Sequence, residues 1–150
     1  MSMHGIDEVD RKLIRHLQAD GRTSFSQLGR LVNLSDAAVR QRVHRLTAEG
    51  VIDIVAVTDP VKLGLRFQAL LGITVTTDAR KVAVDLGAYD DAVYVVMTAG
   101  RFDLIAEIVS RDGDAFVDVL NEFRMHPGIG AVEVIPYLGI TKQTYDWGVG

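Results

Sequence analysis

The residues best equipped to do chemistry lie in one short run: Ser35, Asp36, Ala37, Arg40, Gln41, His44 and Arg45. Arg and Gln pair in bidentate fashion with guanine and adenine edges, and a methyl group such as that of Ala37 can touch thymine. Ser35 is a good N-cap, because its hydroxyl accepts from backbone amides two or three residues on. Asp36 then places negative charge at the positive end of a helix. Val39, Val43 and Leu46 recur at i, i+4 and i+7, one apolar stripe at helical period. At roughly 100° per residue, Ala37, Arg40, Gln41 and His44 point away from that stripe, and Arg42 and Arg45 flank it. The expected chemistry is hydrogen bonding to the DNA major groove from a helix whose other side is buried. The alternative for the same charges is a solvated helix face.

The elements that would position such a helix precede it. Ile6, Val9, Leu13, Ile14 and Leu17 predict an amphipathic helix, ended at Asp20-Gly21. Ser24 and Gln27 match a capping box, and Leu28, Leu31 and Val32 supply the inner face of a short second helix that Asn33 ends. Two short helices joined by a tight turn, the second basic outside, form a helix-turn-helix pattern. On that geometry Ala37, Arg40 and Gln41 are the base-contact candidates. Thr23, Ser24, Arg30, Ser35 and Arg45 are phosphate candidates, which position without specifying, and His44 also reaches toward phosphate. Arg42, beside the stripe, is expected to lay its stem on the core. After Gly50, residues 51–57 are β-prone and predict a wing strand leading into a linker.

Charge supports a divided chain. Residues 1–50 carry a formal +2 and residues 51–150 a formal −6, so a local basic face sits on a chain that otherwise repels DNA. At 48% apolar the chain can bury a core. No apolar run approaches the 18 residues of a membrane span. Without cysteines there are neither disulfides nor thiolate metal sites, which fits a cytoplasmic protein. His4, His16, His44 and His126 show no metal spacing, and no nucleophile, base and orienter assemble, so neither a metal nor an enzyme is expected. The predicted division is 1–60 for the winged helix-turn-helix with its strand linker and 61–150 for the remainder, with Asp59-Pro60 and Gly64 as punctuation.

The second half reads as strand, helix, strand, strand, helix, strand. Leu71, Ile73 and Val75 alternate with Gly72, Thr74 and Thr76. Residues 80–86 form a short helix without clear period. Residues 93–98 and 104–109 are strands around a hairpin connection at 99–103. Phe116, Val119, Leu120 and Phe123 mark a helix stopped by His126-Pro127-Gly128, and residues 131–138 the last strand. The βαββαβ order predicts an α+β, ferredoxin-like domain with both helices on one face of an antiparallel sheet. The other face, with Leu70, Val96, Ile105 and Ile135 among polar residues, is a candidate subunit interface. Tyr145 and Trp147 near the end could dock on a neighbour or move freely.

The chain resembles the Lrp/AsnC, or feast/famine, family of transcription regulators over nearly its whole length. The resemblance is carried by Ile6-Asp7-x-x-Asp10-Arg11-Lys12-Leu13-Ile14, Leu17-Gln18-x-Asp20-Gly21-Arg22, and Leu34-Ser35 through Val43-x-Arg45-Leu46 to Gly50-Val51-Ile52. Gly100-x-Phe102-Asp103 and Pro127-Gly128-Ile129 continue it. It implies a winged helix-turn-helix head, a ferredoxin-like effector domain, dimers assembling further, commonly to octamers, and an amino-acid effector between subunits. It also implicates Met97, Asp103, Gly113 and the stretch from Ile135 to Tyr137 in effector binding. Read by itself, the segment from Thr98 through Gly100 and Phe102 to Asp103 is either an ordinary hairpin turn or a cradle. In the second case turn amides would hold an effector carboxylate and Asp103 would pair its ammonium. Arg101 stands where the family motif carries an acid. The expected partners are therefore double-stranded DNA, further copies of the chain and an amino-acid effector, with no other cofactor. The rival expectation is a DNA-architectural protein, insensitive to effectors, whose second domain only oligomerises.

Overall fold

A computed structural model of the chain describes residues 5–145. The chain divides into two compact units after Val57, the second running from Thr58 to Lys142. The first unit holds three helices: α1 (Glu8–Ala19), α2 (Phe25–Val32) and α3 (Asp36–Ala48). Each begins where a side chain can accept a free backbone amide. Asp7 and Asp10 form a reciprocal capping box on α1, Ser24 accepts from the Gln27 amide at 3.2 Å, and Ser35 accepts from the Ala38 amide at 3.2 Å. Asn33, in left-handed conformation at φ 58°, closes α2 and starts the turn into α3. Leu13, Leu28, Val39 and Val43 meet in the centre, with Val9, Leu17, Val32 and Ile52 packed around them.

Gly29 allows α2 to approach that turn. A Cβ there would lie 2.5 Å from the Leu34 carbonyl oxygen, on the segment whose Leu34 amide donates to the Gly29 carbonyl at 2.9 Å. The obstacle is backbone, which cannot rotate away. Gly29→Ala is therefore expected to destabilise the head by about 1–3 kcal/mol through overpacking, despite the roughly 1 kcal/mol that Ala gains over Gly in helices. Urea denaturation followed by far-UV circular dichroism checks this; an unchanged or raised midpoint would show that the turn gives way.

The expected wing is corrected by the structure. Residues 51–57 form neither strand nor helix. Ile52 is half-buried against the first core, while Ile54, Val55 and Val57 are exposed. β-propensity alone makes no strand: a strand is a pairing, and no other strand exists among the described residues of this unit. A single 3₁₀ turn, Val61–Leu63, follows Pro60 and ends at Gly64.

The second unit is β1 (Phe67–Val75), α4 (Ala79–Leu86), β2 (Ala92–Met97), β3 (Leu104–Ser110), α5 (Gly113–Met125) and β4 (Ile129–Pro136). Its sheet runs β2-β3-β1-β4 with every neighbour antiparallel, the predicted ferredoxin-like order. The short helix α4, which lacked clear period, forms because Asp78 caps it and Val82 and Leu86 reach the core. Ala69, Leu71, Ile73, Leu104, Ala106 and Ile108 on one face of the sheet pack against Val82, Leu86, Phe116, Val119, Leu120 and Phe123 from the helices. Among the described residues no helix covers the opposite face, which carries the exposed Tyr94 and Ile135. Trp147 lies outside the described residues, and Tyr145 is exposed.

Candidate nucleic-acid interface and effector region

Helix α3 presents its two sides as its sequence requires. Val39, Val43 and Leu46 are buried, while Ala37, Arg40, Gln41 and His44 are exposed together. The guanidinium of Arg40 rests 5.2 Å from the centroid of the Phe25 ring on α2 and 4.0 Å from Asp36 one turn back. It is thus held at the head of the helix with two-thirds of its side chain exposed. Arg30, in the last turn of α2, is exposed. Ser24 and Ser35 have their hydroxyls at helix starts as caps, and the Thr23 hydroxyl donates to the Asp20 carbonyl at 2.8 Å. Each keeps an exposed or half-exposed position.

Arg45 departs from the expectation of an outward phosphate contact. Its Nη2 donates to Asp10 at 2.5 Å, and Arg42 donates to Asp10 at 2.8 Å and to Asp7 at 2.7 Å. Asp10 is fully buried, its side chain 1% exposed. The reason is electrostatic: a buried carboxylate must be paired, and the two arginines on the flank of α3 are the cations within reach. Both guanidiniums are held above their ordinary pKa, Arg42 by Asp7 first and then Asp10, Arg45 by Asp10. Asp7 is held below the usual carboxylate value by the Asp10 amide first and then by Arg42. In the sequence Asp7 and Asp10 stand out only as part of the family resemblance. The available signal was two acids and two arginines, each pair spaced i, i+3, on helices expected to pack together.

In the second unit the Gly100-Arg101-Phe102-Asp103 loop folds over the helix-free face of its own sheet. The Phe102 ring lies on Gly72 of β1, where a Cβ would come within 2.5 Å of it. Arg101 stacks 5.1 Å from the centroid of that ring and reaches Glu133 on β4 at 2.5 Å. Thr98 fastens the loop: its hydroxyl donates to the Phe102 carbonyl at 2.6 Å and its amide to the Asp103 carbonyl at 2.9 Å. Asp103 accepts from the Val75 amide at 2.7 Å, beside the irregularity where β1 shifts register against β4. Tyr137, with its hydroxyl hydrogen-bonded to Glu107, has its pKa pushed up to about 12, by burial first and then by the Glu107 charge.

Of the effector candidates, Thr98, Gly100, Phe102 and Asp103 thus come together in one loop, and Phe102, Ile135 and Tyr137 share one sheet face. Two stand apart within the chain. Met97 pairs with Leu104 and so belongs to the helix side of the sheet. Gly113 opens α5 beyond the far end of β3, which is itself seven residues long, roughly 20 Å at strand rise. Among the described residues no cluster of His, Cys, Asp or Glu could hold a metal ion, and no helix is long and apolar enough to cross a membrane.

A helix-turn-helix head followed by this α+β sheet domain defines a two-part DNA-binding regulator. Residues 6–47 match the AsnC-type helix-turn-helix domain, and residues 69–150 match a C-terminal dimeric alpha+beta barrel domain of AsnC-type regulators. The chain belongs to the Lrp/AsnC family of transcriptional regulators, which is not a family of enzymes. Among its relatives, the HTH-type transcriptional regulator FL11 of Pyrococcus horikoshii is 27% identical over 143 residues, 94% of this chain and 95% of that protein. The leucine response regulatory protein LrpA of Mycobacterium tuberculosis superposes with a TM-score of 0.86 at 25% identity, over 94% of this chain and 98% of that one. The Neisseria meningitidis regulator NMB0573, solved as a complex with L-Met, superposes with a TM-score of 0.85 at 23% identity, over 97% of each chain.

Proposed function

We propose that this regulator reads a pseudo-palindromic DNA site through paired α3 helices and is modulated by an amino acid bound between subunits of its second domain. With DNA as its target it works in the cytoplasm. The observation that carries the DNA half is the division of α3, with Ala37, Arg40, Gln41 and His44 exposed together while Val39, Val43 and Leu46 are buried. Ala37, Arg40 and Gln41 contact bases. Thr23, Ser24, Arg30, Ser35, Asp36 and His44 form the surrounding backbone-contact surface. Half-sites lie about 34 Å, one helical turn, or a multiple apart. Assembly to an octamer sets several heads on one DNA. Arg40→Ala is expected to relax preference at one base position by about 1–3 kcal/mol. Selection of binding sites from random DNA tests it, and an unchanged preference at every position removes Arg40 from the readout.

The effector half is supported by the L-Met bound to the Neisseria relative and by the distribution of the candidate residues over both ends of the sheet, which a site between subunits would gather. An effector changes DNA affinity only as far as it binds one assembly state better than another. Calorimetry with a panel of amino acids tests it, together with Asp103→Asn. Asn keeps an oxygen for the Val75 amide but removes the charge, so the variant is expected to fold and bind DNA while losing any response to the amino acid. An intact response moves the site elsewhere. The effector-independent architectural reading is favoured by one observation: Phe102 and the Arg101–Glu133 pair already cover their own sheet face. Absence of heat with every amino acid would support it.

A further inference from the structure

We propose that Asp10 withholds Arg42 and Arg45 from DNA phosphates and so lowers sequence-independent affinity, making it a specificity-determining residue that contacts no DNA. The groove between the start of α1 and α3 is lined by Asp7, Asp10, Gln41, Arg42, His44 and Arg45. The two arginines therefore open onto the same groove as two residues of the DNA-facing side. A basic helix flank of this kind would ordinarily add phosphate contacts. Here each guanidinium is already bonded to Asp10, at 2.8 and 2.5 Å, with Asp7 and Glu49 adding charge at 2.7 and 3.7 Å. A phosphate that drew either arginine away would leave a buried carboxylate short of its partner, so phosphate does not win the exchange. Of the four arginines between positions 30 and 45, only Arg30 and Arg40 remain for DNA. Binding to arbitrary sequence is weakened, and the base contacts of α3 decide a larger share of the outcome.

Each arginine that neutralises a phosphate adds about 0.9 to the slope of log affinity against log salt, a readout that a merely structural role for the ion pairs would not move. The inference rests on α3 facing DNA: a wild-type protein without salt-dependent binding overturns that reading, whereas a normal wild-type slope leaves only this proposal at stake. The experiment measures affinity of the full chain for a non-cognate duplex between about 50 and 300 mM KCl, with circular dichroism to verify folding. Arg30→Gln is expected to lower the slope by about 0.9, Arg42→Gln to leave it within about 0.3 of wild type, and Asp10→Asn to raise it by about 0.9 with tighter non-cognate binding, because Arg45 is released while Asp7 still holds Arg42 at 2.7 Å. A fall of about 0.9 in Arg42→Gln, or an unchanged slope in folded Asp10→Asn, overturns the proposal. Where Asp10→Asn does not fold, Arg42→Gln decides by itself, since Asp10 there keeps Arg45.

Discussion

Replacing Asp10 by Ala is expected to destabilise the head by about 2–3 kcal/mol. Removing one partner of a buried ion pair costs about 3–5 kcal/mol when the charge left behind stays buried. Here the groups left behind are Arg42 and Arg45, each 31% exposed at the side chain, and both can turn into water, which places the expected loss below that range. The variant also gives up half of the reciprocal cap, since Asp10 accepts from the Asp7 amide at 3.2 Å. Chemical denaturation of the full chain measures the change, and a loss below about 0.5 kcal/mol would show that the pairing contributes nothing net. The neighbouring Asp7 adds a pH dependence of definite sign. Its pKa is lowered in the folded protein from 3.8, so its contribution is fully present above that value and is lost as pH falls below 3.8 through the folded value. Asp7→Asn should flatten this part of the acid-unfolding curve.

Phe123→Ala is expected to cost the second unit about 3–5 kcal/mol, the range for truncating a buried aromatic to Ala. Phe123 is fully buried and meets the Tyr89 ring edge-on at 5.1 Å, a geometry that adds to simple burial. It sits on the face of α5 that covers the sheet, so the cavity opens between rigid layers that cannot close over it. Thermal or urea denaturation at matched protein concentration is the appropriate measurement, because self-association shifts apparent stability. A loss below about 1 kcal/mol would mean that the layers collapse into the space.

Much of this molecule is local in origin. Ser24, Ser35 and Asp112 start helices because their side chains accept nearby amides, and such interactions span three residues. Val39, Val43 and Leu46, or Phe116, Val119, Leu120 and Phe123, declare which side of a helix is buried through spacing alone. The order of two helices and four strands then leaves few topologies, and the antiparallel sheet with both helices on one face is the one observed. The wing at 51–57 shows the complementary case. Its residues favour strand, but no partner strand exists among the described residues of its unit, and β-preference has no expression without pairing.

The outward face of α3 was settled by its own sequence, because helical period and a three-residue apolar stripe fix direction without reference to anything else. Whether Arg42 and Arg45 share that face was decided only in three dimensions. Asp10 lies 32 and 35 residues away in the chain, and its pull on them exists only once α1 packs on α3 and water is excluded from the carboxylate. The same holds for Phe102: its motif announced a turn, but Gly72, 30 positions earlier, decides where the ring lies, because only the absence of a side chain there admits it. Short-range hydrogen bonds and periodicity are written along the chain, whereas the competition of charges and the filling of space depend on neighbours that folding alone supplies.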